Sequence, residues 1–276
     1  MYDLPHVLLC SILAAAGADS YRAIVRFMDA RRPWLRANSA MTWAKAPSHT
    51  GLRKILLGLD QAAVEQALRR QSQCALAAQE AGQIVTVALD GKTLRDSLDR
   101  AKGVSALQWL AAFTTSGQRL VLGQVAWGSG EKGYEINAVQ RLIEELGMEG
   151  VLFTLDALHC QKKTLEFVVD SDCDLLVQVK ANQPTLLKTI EDLAKQEPPV
   201  DTHKNHQRGL RIRIEARQTS VWHLPEQCLG DEWWPMRCLI QVCRHTDVFN
   251  TTQGNWEPRS ETASPAPGYL FTESTP

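Results

Sequence analysis

The chain has 276 residues, of which 44% are hydrophobic and 22% are charged, so it can bury a sizeable core as one large domain or two smaller ones. Thirty basic residues against 31 acidic residues give a formal net charge of −1. The overall charge therefore does not predict nucleic-acid binding, and any DNA site must come from a local cluster of basic residues. The seven cysteines form no CxxC pair and no secretory signal precedes them, so we expect reduced thiols in a soluble, cytoplasmic protein.

The first 80 residues predict a small all-helical domain. Apolar and amphipathic runs predict four helices, at Val7–Ala16, Tyr21–Ala30, Gly51–Leu59 and Gln61–Gln79. The last three are preceded by good N-cap residues, namely Ser20, Ser48 and Asp60. The second helix is expected to end before Pro33, and the first apolar run is too short for the ~20 residues that cross a bilayer.

After Gly82 the pattern changes to strands that alternate with helices. Short apolar runs predict strands at Ile84–Leu89, Ala106–Thr114, Arg119–Trp127, Val151–Leu155 and Leu175–Val179. Helical spacing predicts helices at Glu135–Leu146, Gln161–Val169 and Pro184–Lys195. The second and third strands are expected to form a hairpin. Residues 81–197 therefore predict an α/β domain with a mixed sheet covered by helices.

The last 80 residues contain two segments with different sequence patterns. Alternating sequences at Leu210–Trp222 and Cys238–Val248 predict an antiparallel β insertion over residues 198–249. From residue 250 to 276 threonine, glycine, proline and serine dominate, which predicts an irregular, disordered tail.

Two predicted strands each end at an aspartate, Asp90 and Asp156. An acid at the carboxyl end of a buried strand can project into a crevice, and two such acids can hold divalent metal ions that act on a phosphodiester. Cations follow both acids, with Lys92 and Arg95 after the first and Lys162 after the second, which favours an approaching phosphate. The alternative is that each aspartate only begins a turn or caps a helix.

Short motifs surround both aspartates in a fixed order. They are Ala88-Leu89-Asp90-Gly91-Lys92-Thr93-Leu94-Arg95, Glu131-Lys132 with Glu135-Ile136, Leu155-Asp156-Ala157 with Cys160-Gln161-Lys162, and Lys180-Ala181-Asn182-Gln183. The run from Val85 to Leu193 that contains them resembles the catalytic core of H-repeat-associated insertion-sequence transposases, a branch of the DDE superfamily. Residues 1–80, with Pro47-Ser48-His49-Thr50, resemble the helical domain that precedes this core. The resemblance extends to about Glu261.

The resemblance implies a ribonuclease-H-like core in which Asp90 and Asp156 are the first two members of a metal-binding triad. It implies Mg²⁺ (or Mn²⁺) as cofactor, DNA as partner, and strand cleavage and transfer at the ends of the mobile element by a homo-oligomer. Phosphate contacts are expected from cations near the acids and from a basic cluster on the insertion. These residues are Lys92, Arg95, Lys162, Lys180, Arg208, Arg211, Arg213 and Arg217.

The third acid of this family stands in a late motif resembling His-Trp-x-Ile-Glu-Asn, and this chain has no His-Trp pair. Similarity declines around Glu261-Thr262-Ala263, which predicts a truncated C-terminus without the last helix. Glu215 is a stand-in candidate for the third catalytic acid, and its alternative is a charge on a solvated strand face. Glu131 and Glu135 are further candidates that favourable placement at a helix start explains equally well.

Three functions compete at this stage. The first is a DDE-type transposase, and the second is a truncated, catalytically inactive remnant that binds DNA or a partner transposase. A metal-dependent nuclease of unrelated origin is the third. His159 beside Cys160 raises a metal or thiol site, but no second histidine or cysteine stands at ligand spacing.

Overall fold

The computed structural model describes residues 2–15, 17–77, 84–94, 107–117, 119–127, 134–209, 213–225, 228–250, 253–259 and 268–272. The chain divides into two compact units, Met1–Gln66 and Ala67–Pro276. Each unit has a hydrophobic core of its own. The boundary falls inside the fourth helix, ahead of the boundary at residue 80 that the sequence suggests.

Four helices account for most of the first 80 residues. They are α1 (Leu4–Ala15), α2 (Tyr21–Asn38), α3 (His49–Leu57) and α4 (Gln61–Ala77), of which α4 continues into the second unit. The predicted N-caps are present. Ser20 Oγ accepts the Ala23 N–H at 3.3 Å, and Ser48 Oγ accepts the Gly51 N–H at 3.1 Å.

Helix α2 continues through Pro33, so the prediction that it ends before this proline is wrong. Proline removes one backbone hydrogen bond from a helix interior. The turn that follows contributes Leu35, which is buried in the core of the first unit together with Met28. Burial of this turn offsets the missing hydrogen bond, because tertiary packing supplies most helical stability in proteins.

The second unit is built on one mixed ten-stranded sheet. Its strands are β1 (Val85–Leu94), β2 (Leu107–Thr114), β3 (Val121–Trp127), β4 (Val151–Leu155), β5 (Asp174–Val179), β6 (Asp201–Gly209), β7 (Arg213–His223), β8 (Met236–Asn250), β9 (Asn255–Arg259) and β10 (Gly268–Thr272). The order across the sheet is β3-β2-β1-β4-β5-β10-β8-β7-β6, and β9 pairs with β8. Strands β1, β4 and β5 are parallel, and the other pairs are antiparallel. The predicted mixed α/β fold and the β2–β3 hairpin are confirmed.

Three helices follow strands of the first half of this sheet, namely α5 (Tyr134–Leu146) after β3, α6 (Lys162–Asp170) after β4 and α7 (Pro184–Gln196) after β5. Their apolar faces pack against the central strands in one hydrophobic core. Val139 and Leu142 of α5, Leu165 of α6, Ile190 of α7 and Phe153 of β4 are all buried in this core. This core fixes β1 and β4, the two strands that position the candidate acids.

The expectation of an irregular tail over residues 250–276 is wrong in two places. Strand β9 extends the sheet beside β8. Strand β10 lies in the middle of the sheet, between β5 and β8. Thr272 is 2% exposed, and its Oγ1 accepts the Leu175 N–H at 2.6 Å. The run Gly268–Thr272 is short, and only the strand edges on both sides of it reveal that it is a strand.

The expected antiparallel insertion is present as β7 paired with β8, and it includes one more strand than the sequence indicated. Strand β6 is polar throughout and pairs with β7 along its whole length. Because β6 lies at the edge of the sheet and is polar, its sequence has no apolar alternation, and for this reason the sequence does not predict it.

The cysteines agree with the sequence-based expectation. All seven are free, and four of them are buried. None of the helices in the described part of the chain is long and apolar enough to cross a membrane.

Candidate active site

Asp90 and Asp156 lie at the same level of two neighbouring parallel strands. The pairing of β1 with β4 ends at Ala88 opposite Thr154, and each aspartate stands two residues further along its own chain. Neighbouring strands are about 4.8 Å apart, so this register puts the two backbones side by side where β4 ends. Their side chains are 55% and 71% exposed, respectively, so both carboxylates are open to solvent.

Asp90 is not at the end of its strand, contrary to the sequence-based expectation. Strand β1 continues to Leu94, and its outer half pairs with β2 alone, with Asp90 opposite Ala111. Lys92 lies two residues on and therefore on the same face of the strand. Its Nζ is 3.7 Å from Asp90 Oδ2. An ion pair this exposed is weak, so it leaves the carboxylate accessible.

Asp156 follows β4 directly and begins a 3-10 turn, Ala157–His159. Its Oδ1 accepts the Leu158 N–H at 3.0 Å, so the capping role considered for this residue is real. No described residue makes a hydrogen bond or ion pair to Oδ2. One carboxylate oxygen thus fixes the side chain, and the other is available to a ligand.

Glu135, in the first turn of α5, lies against the same end of the sheet. Its Oε1 is 3.6 Å from His159 Nε2, and the same nitrogen is 3.9 Å from Asp156 Oδ1. A Cβ added at Gly91 would lie only 2.6 Å from Glu135 Oε1. The Glu135 carboxylate therefore sits directly over the backbone that follows Asp90.

His159 is a buried imidazole beside two carboxylates. It is 2% exposed, and its Nδ1 has no hydrogen-bond partner among the described residues. Burial lowers the pKa of His159, although the charges of Asp156 and Glu135 act in the opposite direction. Burial also raises the pKa of the neighbouring Cys160 thiol to about 12, which makes it an inert, structural cysteine rather than a reactive one.

Two amide side chains hold the turn that carries Asp156. Asn182 Nδ2 donates to the Ala157 carbonyl at 2.6 Å, and Gln183 Nε2 donates to the Cys160 carbonyl at 2.8 Å. Both amides belong to the Lys180-Ala181-Asn182-Gln183 motif after β5. No local sequence pattern predicts this role of the two amides, because each side chain bonds a carbonyl more than 20 residues away.

Glu215 is not brought near the two aspartates. It stands on β7 opposite Thr246 of β8, where it forms ion pairs with Arg217 and with Arg244, whose Nε is 3.1 Å from its Oε1. Strands β4, β5, β10 and β8 separate β7 from β1. Five strand spacings of about 4.8 Å amount to roughly 24 Å across the sheet.

The cations predicted to contact DNA are distributed unevenly. Lys92 and Lys180 are exposed close to the two strand ends, whereas Lys162 forms an ion pair with Glu232. Arg208 and Arg213 lie on the paired strands β6 and β7. Three predicted residues lie outside the described ones, namely Arg95, Glu131 and Arg211.

The donor atoms at this end of the sheet fit a hard divalent cation. Asp90 and Asp156 offer carboxylate oxygens, the ligands that Mg²⁺ prefers, and Mg²⁺ commonly uses only one or two carboxylates together with water and substrate phosphates. Within the described residues, no group of three or more histidine, cysteine, aspartate or glutamate side chains is arranged to hold a metal ion. The site is therefore an open pair of carboxylates with Glu135 beside it.

Comparison with known proteins agrees with the sequence resemblance. Residues 1–71 match the family model described as "DDE_Tnp_1-associated". "Putative transposase YncI" of Escherichia coli (strain K12) is 30% identical over 185 residues, which cover 67% of this chain and 71% of that protein. The protein of the same name from Escherichia coli O157:H7 is 29% identical over 191 residues, or 69% of this chain and 46% of that one.

Further similarity is local or weak. "H repeat-associated putative transposase YbfD" of Escherichia coli (strain K12) is 35% identical over 106 residues, which cover 38% of this chain and 41% of that protein. A chain of a piggyBac transposase synaptic complex with hairpin DNA aligns at 10% identity and a TM-score of 0.33, over 67% of this chain and 43% of that one. The chain spans about half the length of the relative from Escherichia coli O157:H7, of which it covers 46%. The extended match to the K12 relative shows that this chain belongs to the H repeat-associated transposase family.

Proposed function

We propose that this chain is a DDE-type transposase that cleaves and transfers DNA strands at the ends of an insertion sequence with the help of Mg²⁺ or Mn²⁺. The observation that supports this proposal best is the register of β1 and β4, which sets the open carboxylates of Asp90 and Asp156 side by side. Membership of a family whose members are named as transposases supports the reaction class.

We also propose that β1 to β5 form a ribonuclease-H-like core. The supporting observation is the order β3-β2-β1-β4-β5, in which the first three strands are antiparallel and β4 and β5 run parallel to β1. Parallel strands bring their carboxyl ends to one edge. Such an arrangement explains why acids far apart in sequence belong to one site.

In this proposal Asp90 and Asp156 hold the divalent ions, which would supply an activated oxygen nucleophile and stabilise the leaving oxygen of an in-line displacement. The capped Oδ1 of Asp156 fixes its carboxylate, and Asn182 fixes the turn behind it. A preorganised ligand of this kind avoids the cost of ordering it during the reaction. Lys92 and Lys180 attract the phosphodiester to the site.

Glu135 is the acid that we place third at this site, instead of Glu215. Its carboxylate lies over Gly91 and within 3.6 Å of His159, whose ring also lies beside Asp156. We assign it the role of a positioning residue, which acts on Asp156 through the buried imidazole. Its place at a helix start, favourable to the helix dipole, hid this contact from sequence analysis.

The variant Gly91→Ala tests this role of Glu135. Alanine suits a strand at least as well as glycine. The new methyl group would meet the movable end of the Glu135 side chain at 2.6 Å and the ring of Trp127 at 3.1 Å, and only the first of these contacts is absent from a Glu135→Ala background. The displaced carboxylate should lower strand cleavage about tenfold, equivalent to about 1.4 kcal/mol. In a Glu135→Ala background the same change should have no further effect. Equal losses in both backgrounds would contradict the assignment, and single-turnover cleavage rates measure it.

The proposed function is tested by incubating the full chain with duplexes that carry the ends of its own element. We expect strand cleavage with Mg²⁺ or Mn²⁺ and none after addition of EDTA. Mn²⁺ binding, followed by electron paramagnetic resonance, should occur without DNA and identify the same site. Cleavage that persists in EDTA, or no cleavage in the presence of bound Mn²⁺ and bound end DNA, would contradict the proposal.

A second candidate function is DNA binding without cleavage. The observation in its favour is that no third carboxylate among the described residues completes a metal-binding group with Asp90 and Asp156. This function predicts that the chain retains end DNA in the assay above and never nicks it. The two functions thus give opposite results in one experiment.

A further inference from the structure

The first unit contains a pocket of about 530 Å³ that is lined by Tyr2, by α2, by residues 45–48 and by α3. Four cationic or titratable basic side chains line it, namely Arg22, Arg26, Lys45 and His49. Arg22 and Arg26 are one turn apart on α2, so their side chains lie on the same face of that helix. Lys45 comes from the segment that leads into α3, and His49 is the first residue of that helix. Two separate parts of the chain therefore supply positive charge to one concavity.

These basic side chains are available to a ligand. All four are exposed, and none makes a hydrogen bond or an ion pair with another described residue. Arginine residues that only solubilise a helix commonly pair with acids one turn away. Such pairing is seen elsewhere on α2, where Arg32 lies 3.9 Å from Asp29.

Asp29 is the one acid among the residues that line the pocket. Its Oδ1 accepts the Ala46 N–H at 3.3 Å and is 3.9 Å from Arg32 Nη1. Its charge is thus already offset by an arginine outside the pocket lining, and its oxygen ties the segment before α3 to α2. The pocket keeps a net positive character at neutral pH.

The charge of the first unit agrees with this local feature. Residues 1–66 contain eight lysine and arginine residues against five acids, whereas the whole chain has a net charge of −1. The positive excess is therefore concentrated in this unit, as expected for a surface that attracts a polyanion. Ser48 caps α3 at the rim of the pocket, and the positive end of the helix dipole adds to the same field.

We propose that this pocket binds a phosphate group of a nucleic-acid backbone without reading its sequence. Two arginines can contact phosphate oxygens in a forked geometry, and phosphate contacts position a protein on a duplex without carrying sequence information. The inference deepens the proposed function by giving the first unit a role in DNA handling. It rests on DNA being a partner and is independent of whether the second unit cleaves it.

The test measures binding of the full chain to two duplexes of unrelated sequence, by fluorescence anisotropy without divalent metal and across roughly 50 to 200 mM salt. Arg26→Gln should weaken binding equally for both duplexes and lower the salt slope by about 1. The double variant Arg22→Gln/Arg26→Gln should lower the slope by about 2. Arg36→Gln is the matched control, because Arg36 is exposed on α2 and does not line the pocket.

An unchanged slope for the double variant would overturn the proposal, as would a loss confined to one duplex, which would indicate base reading. Calorimetry with inorganic phosphate distinguishes a pocket for the DNA backbone from a pocket for free phosphate. Arginine-dependent binding of free phosphate together with unchanged duplex binding would also overturn it. The binding assay omits divalent metal and the cleavage assay requires it, so failure of the proposed cleavage reaction and failure of this pocket give different results.

Discussion

Asparagine in place of Asp90 or Asp156 is expected to lower strand cleavage by a factor on the order of a thousand. Each change removes one anionic oxygen ligand, and losing about 4 kcal/mol of metal-dependent transition-state stabilisation corresponds to that factor. The fold should remain intact. Asn is as good a cap as Asp, so Asp156→Asn keeps the hydrogen bond from Leu158, and Asp90 is more than half exposed.

The measurement is the single-turnover rate of cleavage at saturating DNA, together with the Mn²⁺ affinity of the DNA-free chain. Asp170→Asn is the matched control, because it changes an exposed aspartate at the end of α6. Both asparagine variants should lose Mn²⁺ affinity, whereas the control should behave like the wild type. A variant that loses cleavage but binds Mn²⁺ normally would contradict the assignment of that aspartate as a ligand.

Phe153→Ala is expected to reduce the free energy of unfolding of the second unit by about 3–5 kcal/mol. Phe153 is 0% exposed, and on β4 it stands between Val87 of β1 and Leu175 of β5, both of them buried. Three parallel strands in register surround the side chain, so the neighbours have little freedom to fill the cavity. Asp156 follows this strand directly, so the site should loosen with it.

Amide hydrogen exchange of β4 and β5 measures this effect in the second unit alone, because a chain of two units need not unfold in one step. Leu158→Ala is the control, since Leu158 is 47% exposed beside the site. We expect that variant to change stability by less than about 0.5 kcal/mol. Equal losses of exchange protection in the two variants would show that Phe153 is not the centre of this core.

Much of the fold was predictable from sequence because its first half is locally consistent. Val151–Leu155 and Leu175–Val179 read as strands from apolar runs alone, since parallel strands buried on both faces carry little else. Ser48 predicts the start of α3, because its side chain caps a backbone N–H only three residues later. The prediction that α2 ends before Pro33 is wrong because the helix is stabilised beyond this proline by tertiary burial of Leu35. Tertiary burial leaves no local pattern in the sequence.

The site was predictable only in part. Asp90 and Asp156 are predictable because each follows a short apolar run, and the parallel register of β1 and β4 brings them to one level. Glu135 and His159 were undervalued because their proximity depends on how α5 packs against the sheet. Glu215 was favoured by a short motif, but a motif says nothing of the strands that stand between two residues.

Strand β10 also governs the order in which this chain can fold. Thr272 bonds Leu175, 97 residues earlier, so β5 and β8 each keep an unpaired edge until residues 268–272 have left the ribosome. Pairing between such distant segments forms slowly, and open edges recruit other chains in the meantime. The nascent chain is therefore open to aggregation at these two edges until residues 268–272 emerge, and a chaperone that covers β5 and β8 would raise its yield.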